Sequence, residues 1–286
     1  MIKYYQHKKL DKDYIRNKLN EFMAEDCPEK DKTSIATINN NHEVYAEIQA
    51  VENLVFAGTP VVEVCFEKLG RVNMHLMDGE IAKAGSVIGT IKGKPVDILS
   101  HERVMLNLIQ RMSGIATNVK KFSDLANPFK IMILDTRKTT PGLRKFEKYA
   151  ITIGGGFNHR FSLSDGILIK DNHIKAAGGL KNAILKIKKE NFGLPLECEV
   201  DTIEQIHEAL KFGVDGFLLD NMTPSQTQKA VELIRNNPKG KNIFIECSGG
   251  MNFDNFKRYL NTKINAISIG SLTHSVKCSD IRLEFI

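Results

Sequence analysis

The spacing of apolar positions changes near residue 105. Before it, Leu10, Tyr14, Ile15, Leu19, Phe22 and Met23 recur at the interval of one helix face. "EVYAEIQA" and "VVEVCFEKLG" then alternate apolar and polar, which predicts half-buried strands. "MDGEIAKAGSVIGTIKG" is broken by glycines and predicts short strands joined by tight turns. The first region therefore predicts an α+β arrangement with an antiparallel sheet.

From Glu102 the pattern is different. "ERVMLNLIQRMSGIATNVKKF" predicts a long amphipathic helix. Six short apolar runs follow: "KIMILD", "GILIKD", "LECEV", "GFLLD", "NIFIEC" and "AISIG", starting at residues 130, 166, 196, 216, 242 and 266. Helical stretches separate them. "TIEQIHEALKFG" carries Thr202 as N-cap and Gly213 as a stop, and "MTPSQTQKAVELIRNNP" ends before Pro238. Strand and helix in alternation imply βα units with parallel strands, and six in series favour a (β/α) barrel over an open sheet. Six is fewer than a complete barrel holds. "YAITIGGGFNHR" reads as the end of a helix from Leu143, because the next run begins too soon for a parallel crossover. The predicted domains are 1–105 and 106–275, with the tail 276–286 returning to the first.

Composition refines this little. The 286 residues are 42% hydrophobic and 26% charged, as in a folded globular chain. No stretch approaches the roughly 18 apolar residues of a membrane helix, and the N-terminus has no apolar signal region. A cytoplasmic protein without membrane attachment is expected. Five scattered cysteines form no C-x-x-C pair, so neither a disulfide framework nor a zinc site is indicated. The net charge of +6 admits nucleic acid or anionic substrates. The lysines are interspersed with acids and no aromatic platform accompanies them, so no nucleic-acid partner is expected.

Charge becomes informative at the strand ends, where barrel enzymes place their sites. The first run delivers Arg137 and Lys138. His159 and Arg160 precede the second, which ends in Lys170, Asp171, Asn172 and His173. The third ends in Glu199 and Asp201, the fourth in Asp220 and Asn221, the fifth in Glu246 and Ser248–Gly249–Gly250, and the sixth in Gly270 and Ser271. The two glycine-bearing loops suit one phosphate monoester on backbone N–H groups. Four cations, Arg137, Lys138, Arg160 and Lys170, in one mouth require ligands with several negative charges. Glu199 and Asp220 could hold Mg²⁺, sugar hydroxyls or a developing cation.

In order along the chain, "LDTRKTTPGLRKFEKYAITIGGGFNHR", "LIKDNHI", "ECEVD", "LLDNM", "ECSGGM" and "ISIGSLTHSV" resemble the quinolinate phosphoribosyltransferase family. The resemblance implies an open α/β sandwich beside an incomplete α/β barrel with one strand more than the six runs counted here. It implies transfer of phosphoribose from 5-phosphoribosyl-1-pyrophosphate (PRPP) to quinolinate with Mg²⁺, giving nicotinate mononucleotide, pyrophosphate and CO₂ in NAD synthesis. By resemblance, Thr136, Arg137, His159, Arg160 and Lys170 line the quinolinate pocket, and Arg103 enters it from the other subunit of a homodimer. Lys138, Glu199, Asp220, Asn221, Ser248, Gly249, Gly250, Ile269, Gly270, Ser271 and His274 fall at PRPP positions. Lys138, Lys170, Glu199 and Asp220 are the catalytic set, and Glu199 and Asp220 the metal candidates, directly or through PRPP and water. Asp201 and Cys247 depart from residues usual in the family. A nicotinate phosphoribosyltransferase, a molybdenum-transport-associated relative and a phosphate-binding aldolase-type barrel are the other enzymes considered. The last needs a lysine nucleophile in apolar surroundings, which Lys170 lacks.

Overall fold

The computed structural model describes residues 2–286. It separates into two compact units, each assembled from three chain segments. One comprises His7–Lys120, Pro141–Gly155 and Ser275–Ile286; the other comprises residues 2–6, Lys121–Thr140 and Gly156–His274.

The first unit carries α1 (Lys12–Asp26), α2 (Lys32–Thr37), β1 (Val44–Ala50), β2 (Leu54–Val55), α3 (Thr59–Phe66), β3 (Gly70–Met74), β4 (Ile81–Ala82), β5 (Val87–Gly93) and the start of α4 (Pro95–Ala126). It also holds α5 (Arg144–Ile153) and β12 (Ile281–Phe285). Its main sheet is antiparallel in the order β12-β1-β5-β3. Asp11 caps α1 by accepting from the Tyr14 amide at 3.0 Å. The chain's last strand thus pairs with β1. Gly114 on α4 admits the returning chain, since a Cβ there would stand 2.3 Å from the Lys277 carbonyl. Gln110 then donates to the Ile281 carbonyl at 2.7 Å.

Two sequence expectations need revision here. "VVEVCFEKLG" is not a strand: it holds α3, with β3 beginning at its final glycine. Pro60 stands in the first turn, and Asp78 Oδ1 accepts from the Gly58 and Thr59 amides at 2.8 Å each. Val61, Val62, Val64, Cys65 and Phe66 are all buried, so the helix lacks the polar face that reveals its period. The expected divide at residue 105 falls inside the 32-residue α4, whereas the compact units part after Lys120. Residues 141–155 join the first unit because α5 is tied to it: Arg111 on α4 bonds the buried Glu147 at 2.6 Å, and Tyr149 donates to Asp78.

The second unit contains β6 (Met132–Leu134), β7 (Ile167–Ile169), α6 (Asp171–Ala177), α7 (Leu180–Glu190), β8 (Leu196–Val200), α8 (Ile203–Phe212), β9 (Gly216–Asp220), α9 (Pro224–Asn236), β10 (Phe244–Ser248), β11 (Ala266–Ser268) and the short α10 (Ser271–His274). All six strands are parallel, in the order β6-β11-β10-β9-β8-β7, as the alternation predicts. Thr202 and Thr223 cap α8 and α9, each reciprocated by a glutamine three residues on.

This is an incomplete barrel with edges at β6 and β7. Phe157 makes a lone parallel bridge to Leu134 on the open flank of β6, a vestige of a seventh strand. No helix among the described residues is long and apolar enough to cross a membrane.

Candidate active site

Side chains alternate across a strand, so each barrel strand turns every second residue inward. At the C-terminal strand ends these residues enclose a cavity of about 740 Å³, within the size range of small-molecule sites. Its walls include Thr136, Arg137, Lys138, His159, Arg160, Lys170, Glu199, Asp220, Asn221, Ser248, Gly249, Gly250, Gly270, Ser271 and His274. Each of them is a site residue expected from the sequence.

Of the residues expected to bind substrate, two lie elsewhere. Ile269 is fully buried, and its amide extends the ladder to Leu134 at 3.0 Å. Arg103 lies on α4 in the first unit, with its side chain 59% exposed and Glu102 3.8 Å away. Asp171, Asn172 and His173 are exposed, and His173 Nδ1 accepts from the Lys170 amide at 2.9 Å at the start of α6.

One side of the cavity is strongly cationic. Arg160 is nearly buried, and its guanidinium donates to the Gly166 carbonyl at 2.9 Å. Burial, then the neighbouring Arg137, lowers its pKa by more than Tyr4, Glu197 and Asp165 raise it, so its charge is only partly balanced within the protein. The Arg137 Nε is buried with no hydrogen-bond partner among the described residues. Lys170 reaches across to Glu199 in a close ion pair.

The other side is built from loops. Asn221 has φ +54°, its amide donates to the Ser248 carbonyl at 3.0 Å, and its side chain donates to Asp220 at 2.8 Å. Gly249, at φ +97°, leaves room for that side chain: a Cβ would stand 2.2 Å from Asn221 Oδ1. Gly270 likewise lets Lys138 pass, its absent Cβ lying 3.0 Å from Lys138 Cδ and 3.2 Å from the His274 ring. Thr273 donates to the Lys138 carbonyl at 2.8 Å, fastening the first strand-end loop to the last.

Beneath the cations lies a buried trio: His159, Glu197 and Glu246, whose ligand-type atoms all lie within 4.8 Å of one another. Ser268 donates to Glu246 at 3.1 Å. Burial, then Glu197, pushes the Glu246 carboxyl up to about 8, so it carries a proton at neutral pH. Burial lowers the His159 pKa, while Glu246 and Glu197 raise it by more. The hydrogen bonds oppose a second ring proton. His159 Nδ1 accepts the Arg160 amide at 2.7 Å, which places the ring proton on Nε2, facing Glu197 at 3.4 Å and Glu246 at 3.6 Å. With Glu246 protonated, one carboxylate charge remains and Arg160 lies near enough to offset it. We therefore assign His159 as the neutral Nε2–H form.

From the sequence Glu246 is expected only as a strand end, and Glu197 and Ser268 go unrecognised. The signal was available. Ser248 and Gly270 each have an inward partner two residues earlier, Glu246 and Ser268, and both line the cavity. Met251 and Asn252 extend the lining past the "SGG" loop and were also missed. The buried Cys198 and Cys247 have thiols pushed up to about 12 by burial, which removes them as nucleophiles at neutral pH.

Among known proteins, residues 31–113 match the family model for the quinolinate phosphoribosyl transferase N-terminal domain, and residues 115–284 that for the C-terminal domain. A Bacillus subtilis protein named "Probable nicotinate-nucleotide pyrophosphorylase (carboxylating)" is 40% identical over 94% of this chain and 93% of its own. The Mycobacterium leprae nicotinate-nucleotide pyrophosphorylase (carboxylating) is 36% identical over 96% of each chain. The solved nicotinate-nucleotide pyrophosphorylase of Francisella tularensis superposes with a TM-score of 0.92 at 31% identity, covering 99% of this chain and 100% of that one. Both halves of the sequence, and the parallel barrel with its cationic mouth, lead to one placement: the chain belongs to the quinolinate phosphoribosyltransferase family.

Proposed function

We propose that the protein transfers phosphoribose from PRPP to quinolinate and releases pyrophosphate and CO₂, giving nicotinate mononucleotide for NAD synthesis. The observation that carries this is the unpartnered, buried Nε of Arg137 beside the destabilised cation of Arg160. Such a pair is completed by a planar dianion. A pyridine dicarboxylate supplies two carboxylates for bidentate arginine contacts, with Lys170 as a third cation.

PRPP takes the opposite wall. Ser248, Gly249, Gly250, Gly270 and Ser271 receive its 5-phosphate on backbone N–H groups, with His274 beside them. Lys138 lies against Gly270 and meets the pyrophosphate side. Glu199 and Asp220 sit on neighbouring strands in one cavity and are hard oxygen donors of the kind Mg²⁺ accepts together with phosphate oxygens. They hold it directly or through PRPP and water. When bound, Mg²⁺ would neutralise charge on the departing pyrophosphate.

The protein's own contribution is placement and charge. Arg137, Arg160 and Lys170 orient the pyridine nitrogen toward the ribose carbon that bears pyrophosphate. The carbon–nitrogen bond forms as the carbon–oxygen bond breaks, and its electron pair leaves with pyrophosphate. Glu199 and Asp220 oppose the positive charge that grows on the ribose, while Lys138 stabilises the leaving group. The pyridine nitrogen is now quaternary. It draws in the electron pair freed when the adjacent carboxylate departs as CO₂, and a proton from water replaces that carboxylate.

Arg103 completes the pyridine site of a second copy in a homodimer. Its exposure and its distance from any strong ion pair within its own chain support this role. A reducing, cytoplasmic setting accords with five unpaired thiols.

The decisive assay supplies PRPP and Mg²⁺ with quinolinate or nicotinate, and measures mononucleotide and CO₂. Product with CO₂ from quinolinate is expected. Product from nicotinate alone, or from neither, rejects the reading.

A further inference from the structure

The stretch Phe157–Arg160 forms the wall that presents Arg160 to the cavity, yet it has a strand on one flank only. On that flank Phe157 donates to the Ile133 carbonyl at 2.8 Å and accepts from the Asp135 amide at 3.1 Å. On the other flank, where a barrel would place its next strand, the N-terminal segment of the chain takes over. Gln6 donates to the Asn158 carbonyl at 3.0 Å and accepts the Asn158 amide at 2.8 Å. One side-chain amide thus supplies the donor and acceptor pair that a neighbouring strand would offer.

Tyr4 adds a second hold. Its ring stacks on His159 with centroids 4.6 Å apart and planes 23° from parallel. Its hydroxyl donates to Glu197 at 3.4 Å. Gly166, whose carbonyl receives Arg160, is needed for this: a Cβ there would lie 2.7 Å from the Tyr4 ring. The segment is itself anchored, because Ile2 is buried with Leu134, Phe244 and Ala266.

We propose that Tyr4 and Gln6 are positioning residues for the pyridine dicarboxylate, acting through His159 and Arg160. Both nitrogens of the His159 ring are occupied inside the protein, Nδ1 by the Arg160 amide and Nε2 by the two glutamates. The ring therefore fixes the Arg160 backbone, and Tyr4 fixes the ring. Burial and Glu197 push the Tyr4 hydroxyl far above its ordinary value, which keeps it protonated and able to donate. The contacts of Tyr4 and Gln6 described above fall on Asn158, His159, Gly166 and Glu197, outside the loops assigned to PRPP.

The inference rests on the proposed reaction, and the test separates the two. Wild-type turnover of quinolinate is measured first; its absence refutes the reaction and the inference together. Steady-state constants are then measured for Tyr4→Leu and Gln6→Leu. Both variants fill similar space without the stack or the hydrogen bonds, and Lys3→Ala on the same segment serves as the exposed control. The expected result is a KM for quinolinate raised about tenfold by either substitution. KM for PRPP and the control variant stay unchanged. Wild-type quinolinate KM in both variants overturns the inference. So does an equal rise in both KM values accompanied by a fall in Tm, which marks a merely structural segment.

Discussion

The Glu246 carboxyl offers the sharpest test of how this site is charged. It is fully buried, and its pKa stands at about 8 against an ordinary 4.5. Above pH 4.5 the unfolded chain has released this proton while the folded chain keeps it, so unfolding releases a proton and rising pH favours it. Stability is lost progressively until the folded carboxyl also ionises near 8. The slope for one proton is about 1.4 kcal/mol per pH unit. Over the whole interval the loss approaches about 5 kcal/mol, an upper bound because the charges around a buried carboxyl readjust as it ionises. Glu246→Gln imitates the protonated acid: its carbonyl oxygen still accepts from Ser268, and its amide replaces the acidic O–H. Urea unfolding of wild type and variant at constant ionic strength, from about pH 5 to pH 8, measures the effect. The variant gains on wild type as pH rises, and the curves meet at acid pH. Parallel curves across that range refute the claim that Glu246 is folded with its proton on.

Arg137→Ala or Lys170→Ala is expected to abolish turnover while the urea midpoint stays near wild type, because both side chains line the cavity and, in the proposed reaction, hold the pyridine dicarboxylate; near-normal kcat/KM in either variant removes that residue from the assignment. Gly249→Ala forces a Cβ to within 2.2 Å of Asn221 at φ +97°, a strain of about 1–3 kcal/mol. It should raise KM for PRPP and spare KM for quinolinate, and steady-state kinetics with each substrate varied will read the difference. Arg103→Ala and Lys170→Ala should each be inactive alone, yet regain about a quarter of wild-type activity when refolded as a mixture, because half the dimers are hybrids with one intact site. No recovery on mixing places Arg103 in its own subunit's site.

The barrel was legible because each βα unit signs its own beginning and end. Short apolar runs end in charged or glycine-rich loops, and Thr202 and Thr223 cap the helices between them. α3 was not legible, because a helix buried on nearly every side has no polar face to give its period. The cationic mouth was visible at the strand ends, one residue type at a time. The layer below it was not. Glu197 lies two positions before a recognised site residue but never reaches the cavity, and its meaning comes from His159, which is 38 positions earlier in sequence and 3.4 Å away in space. Tyr4 and Gln6 carry no motif at all. Their contacts at residues 158, 159 and 197 depend on the vestigial seventh strand, and a missing strand leaves no mark on a hydrophobic pattern.

The division of each unit into three chain segments bears on how the molecule is made. β1 finds its edge partner in β12, and the N-terminal residues find theirs in strands that leave the ribosome much later. Neither unit can close while synthesis is under way, so the early segments must wait exposed, a situation that slows folding and invites aggregation. Neither unit corresponds to a continuous stretch of coding sequence either. Expressing one half, splitting the gene between the units, or exchanging one unit with a relative would each sever backbone that the other unit needs. The chain is therefore inherited, produced and engineered as a single piece.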